Sequence, residues 1–217
     1  TLYFLTSAWG GFFGMGLSML IRNELSVPYS ILGGEIYNVV VTAHGLVMIF
    51  FFVMPMMMGG FGNWLVPLML GLPDMAFARL NNLSYWLIPT SGLMLIGSLF
   101  VDGGSGTGWT LYPPLSSLGM SGVSTDMLIL SLHMGGISSI AAAINFCTTS
   151  LAMRHELHSP VRTPMFVWCI FVTSFLLVVA MPVLAGGLTM LIADRHFNTS
   201  FFNPDGLGDP VLFIHLF

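Results

Sequence analysis

Long apolar runs, separated by short polar stretches rich in glycine and proline, dominate the chain. There are five such runs and the beginning of a sixth, covering about residues 1–21, 36–70, 83–101, 127–153 and 165–193, and starting again near Pro210. A helix that spans a bilayer needs about 20 apolar residues, and the third run is near that minimum. The runs do not alternate between apolar and polar positions as barrel strands would. They predict an all-α, polytopic transmembrane bundle: one domain, residues 1–217, with five spanning helices and the start of a sixth.

The composition agrees with a chain that is surrounded by lipid. Hydrophobic residues make up 55% of the chain and charged residues 6%, against about 25% charged residues in soluble domains. The chain has five arginines and no lysine. This composition excludes the clustered basic surface that nucleic-acid binding requires, so we expect the lipid bilayer, and no nucleic acid, as a partner.

Charges in the breaks between the runs orient the bundle. The breaks after the second and fourth runs hold three arginines, against two in the other breaks; the three are Arg79, Arg154 and Arg162. Arginines near helix ends favour the inner side of a membrane. This bias predicts that the N-terminus and the loop with Asp74 face inward.

His44 is the most informative single residue. It lies about eight residues into the second run, between Ala43 and Gly45. An ionisable side chain within a membrane helix suggests a functional site, and neutral imidazole is a good ligand of haem iron. Small neighbours would let a flat macrocycle approach the helix. On the residue alone, a histidine that only hydrogen-bonds to another helix is an equal alternative.

Other polar groups could form a second site. Hydroxyl, amide and carboxylate side chains on the predicted inner side, or towards the middle of the membrane, could hold a file of water; they are Asn63, Asp74, Asn81, Ser84, Ser138, Ser139 and Asn145. Serine and asparagine more commonly join membrane helices by hydrogen bonds, and these residue types alone favour that interpretation.

The remaining histidines and the two cysteines carry weaker signals. His133 lies in the fourth run, where we expect it to hydrogen-bond, and His155 and His158 lie in a loop that we expect to be solvated. Cys147 and Cys169 lie in apolar runs, which predicts buried thiols without a disulfide.

Several long motifs resemble subunit I of the haem–copper respiratory oxidases, the cytochrome c oxidase family. The resemblance extends over essentially the whole chain, through YNVVVTAHGLVMIFFFVMPMMMGGFGNWLVPLMLGLPDMAFARLNNLSYWL, GTGWTLYPPL, SLHMGGISSIAAAINF, TPMFVW, PVLAGGLTMLIADRHFNT and GDPVLFIHLF. It implies a fragment of a twelve-helix subunit. That subunit would pass electrons from cytochrome c through haem a to a haem–copper centre, which reduces O2 to water with coupled proton pumping.

The resemblance assigns cofactor contacts residue by residue. His44 matches an axial ligand of the low-spin haem a iron, and Arg22 matches the arginine at the haem formyl group. Tyr37 matches the tyrosine near the hydroxyfarnesyl tail, and Trp109 and Tyr112 match the loop at the haem propionates. The second haem a ligand, the haem a3 ligand and the copper B ligands would lie beyond the chain, so the fragment alone would be inactive.

The same resemblance assigns a proton pathway. Asp74 matches the aspartate at the mouth of the D pathway, and further groups match positions along it: Tyr3, Asn63, Asn81, Ser84, Ser138, Ser139 and Asn145. Glu24 matches a residue of a peripheral cation site, although the loop that follows is shorter than usual and lacks a glycine.

The resemblance also implies partners and a location. They are oxidase subunits II and III, cytochrome c reached through subunit II, and the mitochondrial inner membrane, with a bacterial inner membrane as the alternative. A quinol oxidase of the same superfamily shares these helices. From another class, a transporter with a histidine at the membrane midplane also fits the composition.

Overall fold

The computed structural model describes residues 1–153 and 160–217, and its regular structure is helical throughout the described part. Within this described part, six main helices follow one another: α1 Leu2–Glu24, α2 Gly34–Leu70, α3 Ala78–Ser98, α4 Val123–Ala152, α5 Met165–His196 and α6 Pro210–Leu216. This order confirms the predicted all-α bundle. Arg154, His155 and His158 lie outside the described residues.

Among the described residues, four helices are long and apolar enough to cross a membrane: α1, α2, α4 and α5. The third of the five predicted spans, α3, has 21 residues but is not among these four. Polar residues such as Asn81, Asn82, Ser84 and Ser91 dilute its apolar character. α3 packs most extensively against α4, so its buried serines, Ser84 and Ser91, meet a helix partner rather than lipid.

Serines join α3 to α4 in two reciprocal pairs. Ser84 and Ser138 each donate a hydrogen bond to the other's backbone carbonyl, at 3.1 and 2.6 Å. Ser91 and Ser131 do the same one heptad along, at 2.6 and 2.7 Å. Because the side chains are small and satisfy their own polar groups, the two backbones can approach closely.

α2 is one helical rod of mixed hydrogen-bond pattern. Its ends, Gly34–Leu46 and Asn63–Leu70, are α-helical, and between them Val47–Val53 and Pro55–Gly62 are π-helical. Pro55 has no N–H to donate to the preceding turn, which favours a local change of register. The π-helical part separates His44 from Asn63.

The chain direction defines two ends of the bundle. The Asp74 end contains the start of α1, the end of α2 and the loop to α3, whereas the Glu24 end contains the end of α1 and the start of α2. One buried apolar cluster, with Val66, Met75 and Phe146, lies towards the Asp74 end. The larger cluster, with Phe202 and Phe213, includes the loops of the Glu24 end.

Candidate functional site

His44 lies in α2, packed against α1. Its Nδ1 lies 2.9 Å from the carbonyl oxygen of Gly14, and that carbonyl can only accept, so Nδ1 carries the proton. This tautomer leaves Nε2 with a free lone pair, and no described group hydrogen-bonds to Nε2. Metal-binding histidines commonly donate one ring N–H to a carbonyl and bind the metal through the other nitrogen. The donor arrangement of His44 therefore fits a haem iron ligand.

The sequence did not show one feature of the surroundings of His44. The space over Gly45 is filled by Trp109: a Cβ added at Gly45 would lie 3.1 Å from the Cβ of Trp109. Gly45 therefore makes room for an indole side chain, which the sequence could not show because it does not reveal which distant residue packs on a given helix face. That the small neighbours of His44 admit a flat macrocycle stays a prediction.

The other predicted cofactor residues surround the same end. Tyr37 precedes His44 by two turns, so it lies on the same face of α2, about 10 Å along the axis. It is half-buried. Arg22 is exposed in the last turn of α1 and has no ion pair among the described residues. Tyr112 packs edge-on against Phe213 of α6, with ring centroids 6.3 Å apart.

Three of the predicted pathway residues share an open pocket at the Asp74 end. Tyr3, Asn63 and Asn81 line a pocket of about 660 Å³ between α1, α2 and α3. The Oδ1 atom of Asn81 is buried and has no hydrogen-bond partner in the described part of the chain. Buried amide oxygens are normally paired, by water where protein donors are missing, so this pocket suits water.

Tyr3 also lies on the wall of a smaller, deeper cavity. This cavity has a volume of about 40 Å³, which is room for roughly two or three water molecules. Ser84, Ser138 and Ser139 contribute hydroxyls to its wall, and the Tyr3 hydroxyl lies 2.8 Å from Ser84 Oγ. Tyr3 therefore stands between the open pocket and the inner cavity.

Asp74 and Asn145 lie apart from both cavities. Asp74 is exposed, and its Oδ1 accepts a hydrogen bond from the Met75 amide at 2.7 Å. Asn145 holds the next part of this loop, because its side chain accepts from the Phe77 amide at 2.9 Å and donates to the Phe77 carbonyl at 3.2 Å. Thr149 accepts from the amide of Ala76 at 3.0 Å. The loop that carries Asp74 is therefore fixed to α4.

The weaker candidates have ordinary partners. His133 contacts the Ile129 carbonyl at 3.0 Å and the Thr189 hydroxyl at 3.1 Å, which confirms its predicted hydrogen-bonding role. Both cysteines are free, and the prediction that both are buried is wrong: Cys147 is only partly buried and Cys169 is exposed on the bundle surface. Within residues 1–153 and 160–217, no three His, Cys, Asp or Glu side chains cluster as a metal site requires.

Glu24 does not fit a cation site. Its carboxylate accepts hydrogen bonds from the Ser30 hydroxyl at 2.6 Å and from the Ile31 and Leu32 amides at 2.9 and 2.8 Å. Donors of its own loop thus already engage both carboxylate oxygens and offset the charge that would attract a cation. The short loop after α1 folds back onto the carboxylate that ends the helix.

Arg195 is the residue whose importance the sequence did not reveal. Its side chain is 2% exposed, and Nε donates to Asp126 at 2.6 Å. The two terminal nitrogens donate to backbone carbonyls of the loop before α4, including those of Ser116 at 2.6 Å and Gly122 at 2.8 Å. The adjacent His196 lies 2.8 Å from the other Asp126 oxygen. One buried guanidinium therefore ties the end of α5 to the start of α4.

The profile of one protein family, described as cytochrome c and quinol oxidase polypeptide I, matches residues 1–217. The chain is 56% identical over 220 residues to cytochrome c oxidase subunit 1 of Pecten maximus, covering all of the chain and 46% of that protein. It is 50% identical to the protein of the same name in Mytilus edulis, over 40% of that protein, and 49% identical to that of Eremothecium gossypii, over 41%. The chain spans less than half the length of these relatives.

Proposed function

This chain belongs to the family of cytochrome c and quinol oxidase polypeptide I, and from that premise we propose that it forms part of the catalytic subunit of a terminal respiratory oxidase. The relatives are named as cytochrome c oxidases, which supports cytochrome c rather than quinol as the electron donor. Family membership argues against the transporter alternative. The proposed location is the mitochondrial inner membrane, in a complex with subunits II and III.

His44 carries this proposal. Its Nδ1–H is held by the Gly14 carbonyl, which directs the lone pair of Nε2 away from α1 and fixes the ring. When bound, haem a supplies one-electron transfer between cytochrome c and a haem–copper centre that reduces O2 to water. Around it, Arg22 would donate to the formyl oxygen and Tyr37 would lie near the hydroxyfarnesyl tail. Trp109 and Tyr112 would donate to the propionates.

The Asp74 end would take up protons. Asp74 is exposed, so its carboxylate can exchange protons with bulk water. From there the proposed pathway follows the open pocket with Asn63 and Asn81, passes the Tyr3 hydroxyl and reaches the inner cavity with Ser84, Ser138 and Ser139. Asn145 would act by fixing the Asp74 loop rather than by lining the water file.

The test compares two membrane-embedded histidines in the complete oxidase. We expect His44→Leu to remove the low-spin haem a signal, because carbon cannot replace the nitrogen ligand. His133→Leu is the matched control: both nitrogens of His133 have protein partners, so its loss should lower stability and leave the haem spectrum unchanged. A normal low-spin spectrum in the His44→Leu enzyme would refute the proposed ligand.

A further inference from the structure

A short glycine-rich segment, residues 104–109, runs along one face of α2 towards His44; we call it the strap. An added Cβ at Gly106 would lie 3.0 Å from Asn38, and one at Gly45 would lie 3.1 Å from Trp109. The strap thus contacts α2 at positions 38 and 45, which share a face because they are separated by two turns. It ends beside the residue that follows His44.

Thr42 is the hydrogen-bonding residue between these two contacts. It is 1% exposed, and its hydroxyl donates to the Asn38 carbonyl at 2.7 Å. The same oxygen accepts a hydrogen bond from the Gly108 amide at 2.9 Å. Among the described residues this is the one side-chain hydrogen bond that links the strap to α2. Without the hydroxyl oxygen, the Gly108 amide would lose this partner, and the strap would lose its side-chain hydrogen bond to α2.

Trp109 follows Gly108 directly, so the hydrogen bond between Gly108 and Thr42 helps to set the position of Trp109. Gly108 has φ +77°, a left-handed conformation that glycine adopts without steric cost. The turn brings Trp109 onto Gly45, with its ring 6.0 Å from that of Phe217. No described group accepts a hydrogen bond from the indole N–H of Trp109, and the side chain is 40% exposed. The indole is therefore an available donor whose position depends on the strap.

We propose that Thr42 is a positioning residue for the haem site: its hydroxyl holds the strap so that Trp109 stays packed on Gly45, the residue that follows His44. This inference rests on the proposed function, in which Trp109 donates to a haem propionate. When an ionised propionate loses a hydrogen-bond donor, its negative charge is less compensated, and an uncompensated negative charge near the iron favours the oxidised state. Loss of the Thr42 hydroxyl should therefore lower the midpoint potential of haem a.

Thr149 is a matched control that tests whether the effect of Thr42 is only a loss of stability. Thr149 is also fully buried, donates to the carbonyl four residues earlier at 2.7 Å and accepts a loop amide, that of Ala76, at 3.0 Å. It lies at the Asp74 end, remote from His44 along the bundle. Thr149→Val removes the same set of hydrogen bonds as Thr42→Val, and should cost similar stability without a change at the haem.

The experiment measures the haem a absorption band and midpoint potential in the complete oxidase. We expect Thr42→Val to shift both, with the potential falling, whereas Thr42→Ser restores them because it keeps the oxygen. Gly45→Ala should shift them too, because the new methyl group would displace Trp109 while the Thr42 hydroxyl remains. This variant replaces Thr42→Val if the latter fails to assemble.

Two outcomes overturn the inference. One is an unshifted haem a band and potential in an assembled Thr42→Val enzyme, or in Gly45→Ala where Thr42→Val does not assemble; the other is an equal shift in Thr149→Val. The His44→Leu test separates these results from failure of the proposed function. If His44→Leu removes the low-spin signal while the Thr42 variants leave it unshifted, only the positioning role of Thr42 is wrong.

Discussion

At each end of the bundle, a buried threonine hydroxyl accepts a hydrogen bond from a loop amide, but the packing around that bond differs between the two ends. At the Glu24 end Thr42 accepts the Gly108 amide, and at the Asp74 end Thr149 accepts the Ala76 amide. Beyond this shared bond, the strap packs directly on α2 with an indole filling the space over Gly45. The Asp74 end instead keeps an open pocket and an inner cavity, both bordered by Tyr3.

This difference matches the two proposed tasks. A cofactor ligand needs a fixed ring, and close packing around His44 restricts its movement. Proton transfer needs room for water beside polar groups, and the Asp74 end has both. One helix, α2, serves both ends, since it contributes His44 near its start and Asn63 near its end. Its π-helical part lies between them.

The largest expected effect is at Asp74. We predict that Asp74→Asn lowers oxygen reduction and proton pumping by about tenfold or more, because a positioned proton donor commonly contributes at least that factor. Haem content and spectra should remain normal, since the Asp74 loop is at the other end of the bundle from His44. Turnover, pumping and spectra of the complete enzyme are the measurements.

The control for this variant is Asp205→Asn, an exposed loop aspartate at the Glu24 end whose carboxylate has no hydrogen-bond partner among the described residues. It should leave turnover unchanged. Full pumping in the Asp74→Asn enzyme would contradict the proton-uptake role without affecting the assignment of His44.

The second prediction compares how strongly the two ends are held. Arg195→Met should destabilise the Glu24 end by about 3–5 kcal/mol, because it leaves the Asp126 carboxylate without its buried partner. Asn145→Leu at the Asp74 end should cost about 1–3 kcal/mol, since it strands two neutral backbone groups of Phe77. Thermal unfolding of the purified oxidase checks the order. Equal losses would show that the Arg195–Asp126 pair gives the Glu24 end no additional stability.

The smallest expected effect is at the hydroxyl between the two cavities. Tyr3→Phe removes the bond to Ser84, so proton uptake should slow severalfold rather than stop, because water can bridge the gap. Tyr85→Phe is the matched control: its ring packs edge-on against Tyr3 at 5.2 Å and lines the open pocket. If both variants slow turnover equally, the Tyr3 hydroxyl has no special place in the pathway.

Much of the fold was predictable because the apolar runs are long and because each run forms its helix from its own residues. The boundaries of α1, α4 and α5 lie within a few residues of the predicted runs. The π-helical part of α2 was not predicted, since the run is apolar whichever register it adopts. α3 was predicted as a span near the minimum length, and its polar residues place it below the other four in hydropathy.

Of the residues that form the candidate site, the sequence pointed to some and not to others. His44 stands out in the sequence because a histidine within an apolar run is unusual. Thr42 and Arg195 do not stand out, because threonine is common in membrane helices and Arg195 lies at a helix end. Their partners are distant: Thr42 meets Gly108 66 residues on, and Arg195 meets Asp126 69 residues back.

By itself, the sequence determined that this chain belongs in a membrane and folds as helices. With few charges and no water in the bilayer core, each apolar run must satisfy its backbone hydrogen bonds within itself, which is a local requirement. Only the tertiary structure decided which polar groups meet. Tyr3 reaches Ser84 across 81 residues, and His44 donates to Gly14 across 30. Such pairs depend on how helix faces turn towards each other, and uniformly apolar runs contain little information about that rotation.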